Sequence, residues 1–229
     1  MADQLYLHEE ILLLALRDHK GTIASGTSYK FALGGAILAE LLLDGRLSVD
    51  VEKKKKFLRL VDATPTGNPV LDECMKKVEE AKKRAQLRAW VTRFASVKKL
   101  VDKVAKQLCR KNVLRTDEDK VLLLFTRRVY PELDPRPERE IMKRLQKAIF
   151  TDTQTVEPRT VVLLSLANAT GVLKVNFDRK ELKRRKKRID QVVSGELTGR
   201  ATRDAIAAMQ AAVMVSVIIP SVVATGAAT

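Results

Sequence analysis

Residue types that do chemistry are few in this sequence and poorly spaced for it. Two histidines occur, His8 and His19, and His8 is followed by Glu9 and Glu10. That is not the HExxH spacing that sets two imidazoles on one helix face around zinc. Cys74 and Cys109 make neither a CxxC pair nor a disulfide framework. The carboxylate pairs Glu9-Glu10, Asp72-Glu73 and Glu79-Glu80 stand beside no nucleophile and no metal-ligand cluster, so each reads as a solvated helix face. Walker A, GxGxxG and GxSxG patterns are absent, and Gly34-Gly35 in an apolar run reads as close helix packing rather than a phosphate loop. The expectation is a binding protein with no catalytic residue, no metal site and no cofactor.

Cations are what the chain supplies in quantity. They come in runs at 53–56, 76–88, 93–111, 136–147 and 179–188. The 229 residues hold 43 Lys and Arg against 28 Asp and Glu, a net charge of +15, which suits an anionic partner: lipid headgroups, nucleic acid or an acidic protein. Each Lys or Arg near an anionic bilayer contributes ~1 kcal/mol, and the same cations would neutralise nucleic-acid phosphates. Charge alone does not separate these partners. Aromatic residues at 4% weigh against stacking of single-stranded bases.

The elements that must position these cations are mostly helical. Residues 5–17 read as a helix with Glu9 and Glu10 in the first turn, where the dipole favours acids. Residues 22–28 read as a small-residue loop and 31–43 as a core helix, apolar on nearly all sides. Residues 46–50 and 57–62 alternate as two strands of a hairpin around 53–56. The turn cluster 65–69 precedes a helix over 70–84 and a longer basic helix over 86–111, with Trp90 as a partly buried anchor. Residues 113–115 and 121–125 read as a second hairpin. Helices over 138–150, 159–170 (with Pro158 in its first turn) and 179–194 follow. The fold class is mainly α, one domain over 1–229 with an apolar helical core, surrounding amphipathic helices and small β-hairpins.

Residues 205–229 carry no charge. They are long enough to span a bilayer, which takes ~20 apolar residues. The lack of Leu, Gln210 at mid-segment and Pro220 favour instead a core helix over 203–219 with a frayed end, a membrane anchor being the alternative. Met1 to Asp3 bring no basic n-region, so the compartment read from the sequence is the cytoplasm.

Ordered blocks carry a resemblance. Residues 5–18 with Gly21, then 35–41 with Gly45-Arg46-Leu47, then 65–73, resemble the opening blocks of the Golgi phosphoprotein 3 family. Lys111-Asn112-Val113-Leu114, residues 122–125, Tyr130-Pro131, Arg144-Leu145 and Pro158-Arg159-Thr160 follow in family order, so the likeness runs from Leu5 to at least Ile189. It implies a mainly helical, non-enzymatic peripheral membrane protein that binds phosphatidylinositol 4-phosphate. In eukaryotic members it also implies a role at the cytoplasmic face of the Golgi, connecting membrane to the cytoplasmic tails of membrane proteins.

Of the four positions that the family uses for the lipid headgroup, one keeps a cation. The family's loop Trp falls on Ser25 or Gly26, one Arg on Gly34, and a pair of Arg one turn apart on Lys98 and Val101. A lysine there is a point charge without the bidentate fork of Arg. Lys98, Lys99, Arg93 and Lys30 are therefore the candidate headgroup-binding residues. The resemblance also places Leu122, Leu123, Leu124 and Phe125 in a hairpin linked to self-association and membrane contact. The expected partners are anionic membrane lipid (a phosphoinositide by resemblance), tails of membrane proteins and a second copy of the chain. The alternatives are a basic helical nucleic-acid-binding protein and an adaptor without lipid specificity.

Overall fold

Leu7, Ile11, Leu12, Leu13 and Leu14 cover so much of one helix that α1 (Leu7–Ala15) buries all its residues, His8, Glu9 and Glu10 included. A computed structural model describes residues 4–17, 21–24, 27–52, 55–121, 125–195 and 197 of the chain. The Tyr6 N–H donates to the Glu9 carboxylate at 2.9 Å and so closes the first turn of α1. The helix ends two residues sooner than expected, because Leu16–Arg17 (β1) pairs antiparallel with Thr22–Ile23 (β2), a segment read above as loop.

After β2 come α2 (Tyr29–Leu43) and the antiparallel hairpin of β3 (Leu47–Glu52) with β4 (Lys55–Leu60). Asn68 caps α3 (Pro69–Glu79), its Oδ1 accepting from the Val70 and Leu71 N–H groups at 3.0 and 3.2 Å. Then follow α4 (Leu87–Ala95), α5 (Leu100–Arg110), the strands β5 (Asp117–Val121) and β6 (Phe125–Val129), and α6 (Arg136–Phe150). The remaining helices are α7 (Pro158–Ala169), α8 (Leu173–Asn176), α9 (Arg179–Arg184) and α10 (Lys186–Val193). The fold is mainly α with small antiparallel hairpins.

Helices α1, α2 and α7 touch one another and form the centre. Their sequences are mostly apolar, with the polar side chains of α1 buried and residues 32–41 of α2 buried without interruption. The other long helices each offer one stripe to this centre: Leu87, Trp90, Val91 and Phe94 on α4, Leu100, Val104 and Leu108 on α5, and Ile141, Leu145 and Ile149 on α6. Each such side chain contributes ~1.5–3 kcal/mol of transfer free energy.

Three expectations need correction. The basic stretch 86–111 is two helices, because Lys99 adopts a left-handed conformation (φ 55°) between α4 and α5. Phe94, Val97 and Leu100 are all buried. At ~100° per residue, an unbroken helix would turn Leu100 about 120° away from the face that Phe94 occupies. The break returns it to the core. The stretch 179–194 is likewise divided at Arg185 into α9 and α10.

The second hairpin has a different register from the one expected. β5 pairs with β6, Val121 opposite Phe125 and acidic Glu118 opposite basic Arg128. Val121 and Phe125 therefore belong to two different strands, paired with each other, and not to one strand paired with 113–115. Leu114 instead bridges to Glu132, and Val113 accepts from the Leu133 N–H at 2.9 Å. Leu122, Leu123 and Leu124 lie outside the described residues, as do Ser25, Gly26 and all of 198–229. Among the described residues, no helix is long and apolar enough to cross a membrane.

Candidate functional site

The histidine and acids of α1, the first place to look for catalysis, are structural. Glu9 receives Lys111 Nζ at 2.7 Å, and Glu10 receives Arg144 Nη2 at 2.6 Å. Glu40 on α2 is held by Arg159, Nη1 at 2.6 Å and Nη2 at 3.1 Å. Arg159 also donates to the Leu5 carbonyl at 2.6 Å, while the Leu7 N–H donates to Glu40. The cluster thus ties α1, α2, α5, α6 and α7 together. Burial pushes the Glu10 carboxyl above its usual range, against the pull of Arg144 and Arg159.

His8 is fully buried, with Nε2 3.3 Å from Gln107 Oε1. Gln107 in turn donates to the α3 cap Asn68 at 2.8 Å. Burial takes the His8 imidazole down to about 3, so it is neutral at ordinary pH. Among the described residues, no group of three or more His, Cys, Asp or Glu is placed to hold a metal ion.

Gly34 has a role visible only in three dimensions. A Cβ built there would stand 2.5 Å from the Val91 carbonyl oxygen and 2.8 Å from the Ala95 nitrogen. Helices α2 and α4 meet backbone to backbone at this point, and the space that an arginine would need is filled by α4. Val101 is half-buried against the core. The headgroup positions implied by the resemblance thus hold one exposed cation, Lys98, in the turn between α4 and α5, with Lys99 beside it. Lys30 is exposed on the first turn of α2.

Arg93 lies elsewhere, in a cavity of about 590 Å³ between α3 and α4 that Lys30, Lys98 and Lys99 do not line. Its guanidinium stacks over the ring of Trp90, 4.5 Å from the centroid. Trp90 is buried at 2% exposure, its ring 5.7 Å from that of Phe94, so the anchor expected on this helix is present. Lys77, Lys82 and Lys83 complete the cationic rim. None of these four cations makes an ion pair among the described residues; neighbouring Arg84 does, with Asp50 and Glu52. The rim lysines went unselected in the sequence because they come from α3 and from the α3–α4 connection. The local signals were the basic run 76–88 and Trp90 with Arg93 one turn on.

The comparisons agree with this architecture. The family described as Golgi phosphoprotein 3 (GPP34) matches residues 7–209. Vacuolar protein sorting-associated protein 74 of Schizosaccharomyces pombe is 28% identical over 221 residues, an alignment covering 82% of this chain. The chain spans 65% of the length of that relative. A match running from α1 beyond α10, through every helix described above, supports one conclusion: the chain belongs to the Golgi phosphoprotein 3 family.

Proposed function

We propose that this protein is a non-enzymatic, cytoplasmic, peripheral membrane-binding module that docks a basic face on anionic lipid. Phosphatidylinositol 4-phosphate is the ligand that the family implies. The observation that carries this reading is the set of unpaired cations, Lys77, Lys82, Lys83 and Arg93, rimming one cavity, while Glu9, Glu10 and Glu40 are turned inward and matched. Lys98, Lys99 and Lys30 add exposed charge on neighbouring elements. A relative named for vacuolar protein sorting supports a place in membrane traffic. An adaptor role, holding tails of membrane proteins at the Golgi cytoplasmic face in a eukaryotic cell, follows from the same membership. So does self-association through the β5–β6 hairpin with Leu122, Leu123, Leu124 and Phe125.

Flotation with neutral, phosphatidylserine-containing and phosphoinositide-containing vesicles tests the reading. Binding to the anionic vesicles should fall steeply as salt shortens the Debye length from ~10 Å at 0.1 M to ~3 Å at 1 M. Binding that ignores salt would replace the electrostatic account with insertion of an apolar element. Retention on DNA without any vesicle binding would favour the nucleic-acid alternative.

A further inference from the structure

The basic run 179–188 does two jobs, and the helix faces separate them. Arg185 donates to the Phe150 carbonyl at 2.8 Å, and Arg188 to those of Ala148 and Thr153 at 3.0 and 2.6 Å. These two arginines are half-buried and satisfy the Ala148 and Phe150 carbonyls at the end of α6 and the Thr153 carbonyl beyond it. The other face opens onto a cavity of about 950 Å³ that shares no lining residue with the α3–α4 cavity. Lys174 of α8, Arg179 and Lys183 of α9 and Lys186 of α10 line it. All four are exposed, and none has an ion-pair partner among the described residues. Among the described residues, Asp190 is the single acid of the lining. Val175, 37% exposed, brings apolar surface beside the cations, while Leu182 and Ile189 of the lining are buried in the core.

We propose that the groove formed by α8, α9 and α10 is a binding site for a phosphorylated lipid headgroup presented on a bilayer. This inference rests on the membrane-docking reading above and assigns a headgroup contact to a groove built largely from the basic run 179–188, apart from the α3–α4 cavity. Four cations against one acid select an anion. Lysines on successive helical turns track separate phosphate oxygens as point charges rather than as one bidentate fork. A free phosphate would use the cationic rim alone, whereas the exposed Val175 among the cations favours a ligand that brings hydrocarbon with its charge. The lining contains no Phe, Tyr or Trp. Nucleobases would therefore find no stacking surface there.

The test compares two double variants of equal charge loss, Lys183→Gln with Lys186→Gln in the groove, and Lys106→Gln with Arg110→Gln on the exposed face of α5. Each is assayed by flotation with neutral and phosphoinositide-containing vesicles, with soluble inositol phosphate as a separate arm. At ~1 kcal/mol for each cation near the lipid, a factor of about five, the groove variant should bind about 25-fold more weakly. The α5 variant should change by less than fivefold, and both should melt as the parent does. Equal losses in the two variants would overturn the groove and leave the membrane reading standing. Soluble inositol phosphate that binds the parent as well as vesicles do, and loses the same factor in the groove variant, would overturn the bilayer as source. Parent protein that floats with no anionic vesicle would overturn both the groove and the reading beneath it.

Discussion

Replacing Gly34 by Ala tests whether α2 and α4 are locked together where the resemblance would place a headgroup arginine. The new Cβ would lie 2.5 Å from the Val91 oxygen and 2.8 Å from the Ala95 nitrogen, both backbone atoms that no side-chain rotation can clear. Reaching ordinary contact near 3.4 Å requires α4 to retreat by about 0.9 Å, carrying Trp90, Val91 and Phe94 with it. Overpacking of this kind costs ~1–3 kcal/mol. Alanine recovers ~1 kcal/mol of helix propensity over glycine. The net loss therefore runs from ~0 to ~2 kcal/mol, a fall in Tm of up to ~8 °C for a chain of this size. Gly34→Arg should go further and fail to fold, since it adds volume and an unmatched buried charge. Thermal melts by circular dichroism read both variants. A Gly34→Ala protein that melts higher than the parent would refute the packing argument. So would a folded Gly34→Arg protein with stronger phosphoinositide binding, because it would mean that α2 and α4 part to form the pocket the resemblance implies.

Three further outcomes are open to measurement. Arg159→Leu should cost ~3–5 kcal/mol in urea unfolding, since it leaves Glu40 buried without its cation; a loss below 1 kcal/mol would mean that the cluster relaxes or takes in water. His8 has a folded-state value near 3, below its ordinary 6.5, so below pH 6.5 the unfolded chain takes up a proton that the folded one refuses. Stability should drop with acid between pH 6.5 and about 3, on the order of 1.4 kcal/mol per pH unit from this group, and His8→Gln should flatten that slope; Glu10, raised by burial, works in the opposite sense over its own range. Lys98→Glu should weaken flotation with anionic vesicles several-fold at 0.1 M salt, and an unchanged distribution would take the α4–α5 turn off the membrane face.

Legibility followed the range of the deciding interaction. Helix α2 could be read because an apolar run around the whole circumference has one stable solution, burial, and α7 could be read from Pro158 and Gly171 at its ends. The β3–β4 hairpin was legible from alternation on both sides of a lysine tip. The break at Lys99 was not, because no Pro or Gly marks it, and only the phase of the buried Leu100 and Val104, ~80–120° off the face of Phe94, shows that the helix cannot run straight through. The β5–β6 register depends on Glu118 meeting Arg128, while the apolar run 121–125 imitates a strand. Of the residues chosen for the site, Arg93 lies in a cationic cavity; its companions there, Lys77 and Lys83, come from chain that local pattern cannot place beside Trp90. No spacing rule foretells that Gly34 faces the backbone of α4.

The division of labour within the last basic run leads to a prediction with opposite signs for residues two apart. Arg188 and Lys186 carry the same charge, and in sequence they are interchangeable members of one cluster. In the fold, Arg188 ties the last turn of α6, through the Ala148 carbonyl, to the segment after it, through that of Thr153, whereas Lys186 faces the groove. Hydrogen bonds from charged donors contribute ~1.5–3 kcal/mol, so Arg188→Gln should lower Tm by ~3–12 °C. Its effect on vesicle binding, measured at a temperature where it remains folded, should not exceed that of removing one charge outside the groove. Lys186→Gln should leave Tm within a degree of the parent and weaken binding about fivefold. If both variants melt normally and lose binding alike, the run acts as an undivided patch of charge. If both melt early, Lys186 is holding the fold, and the cations of α9 and α10 have no surplus to offer a ligand.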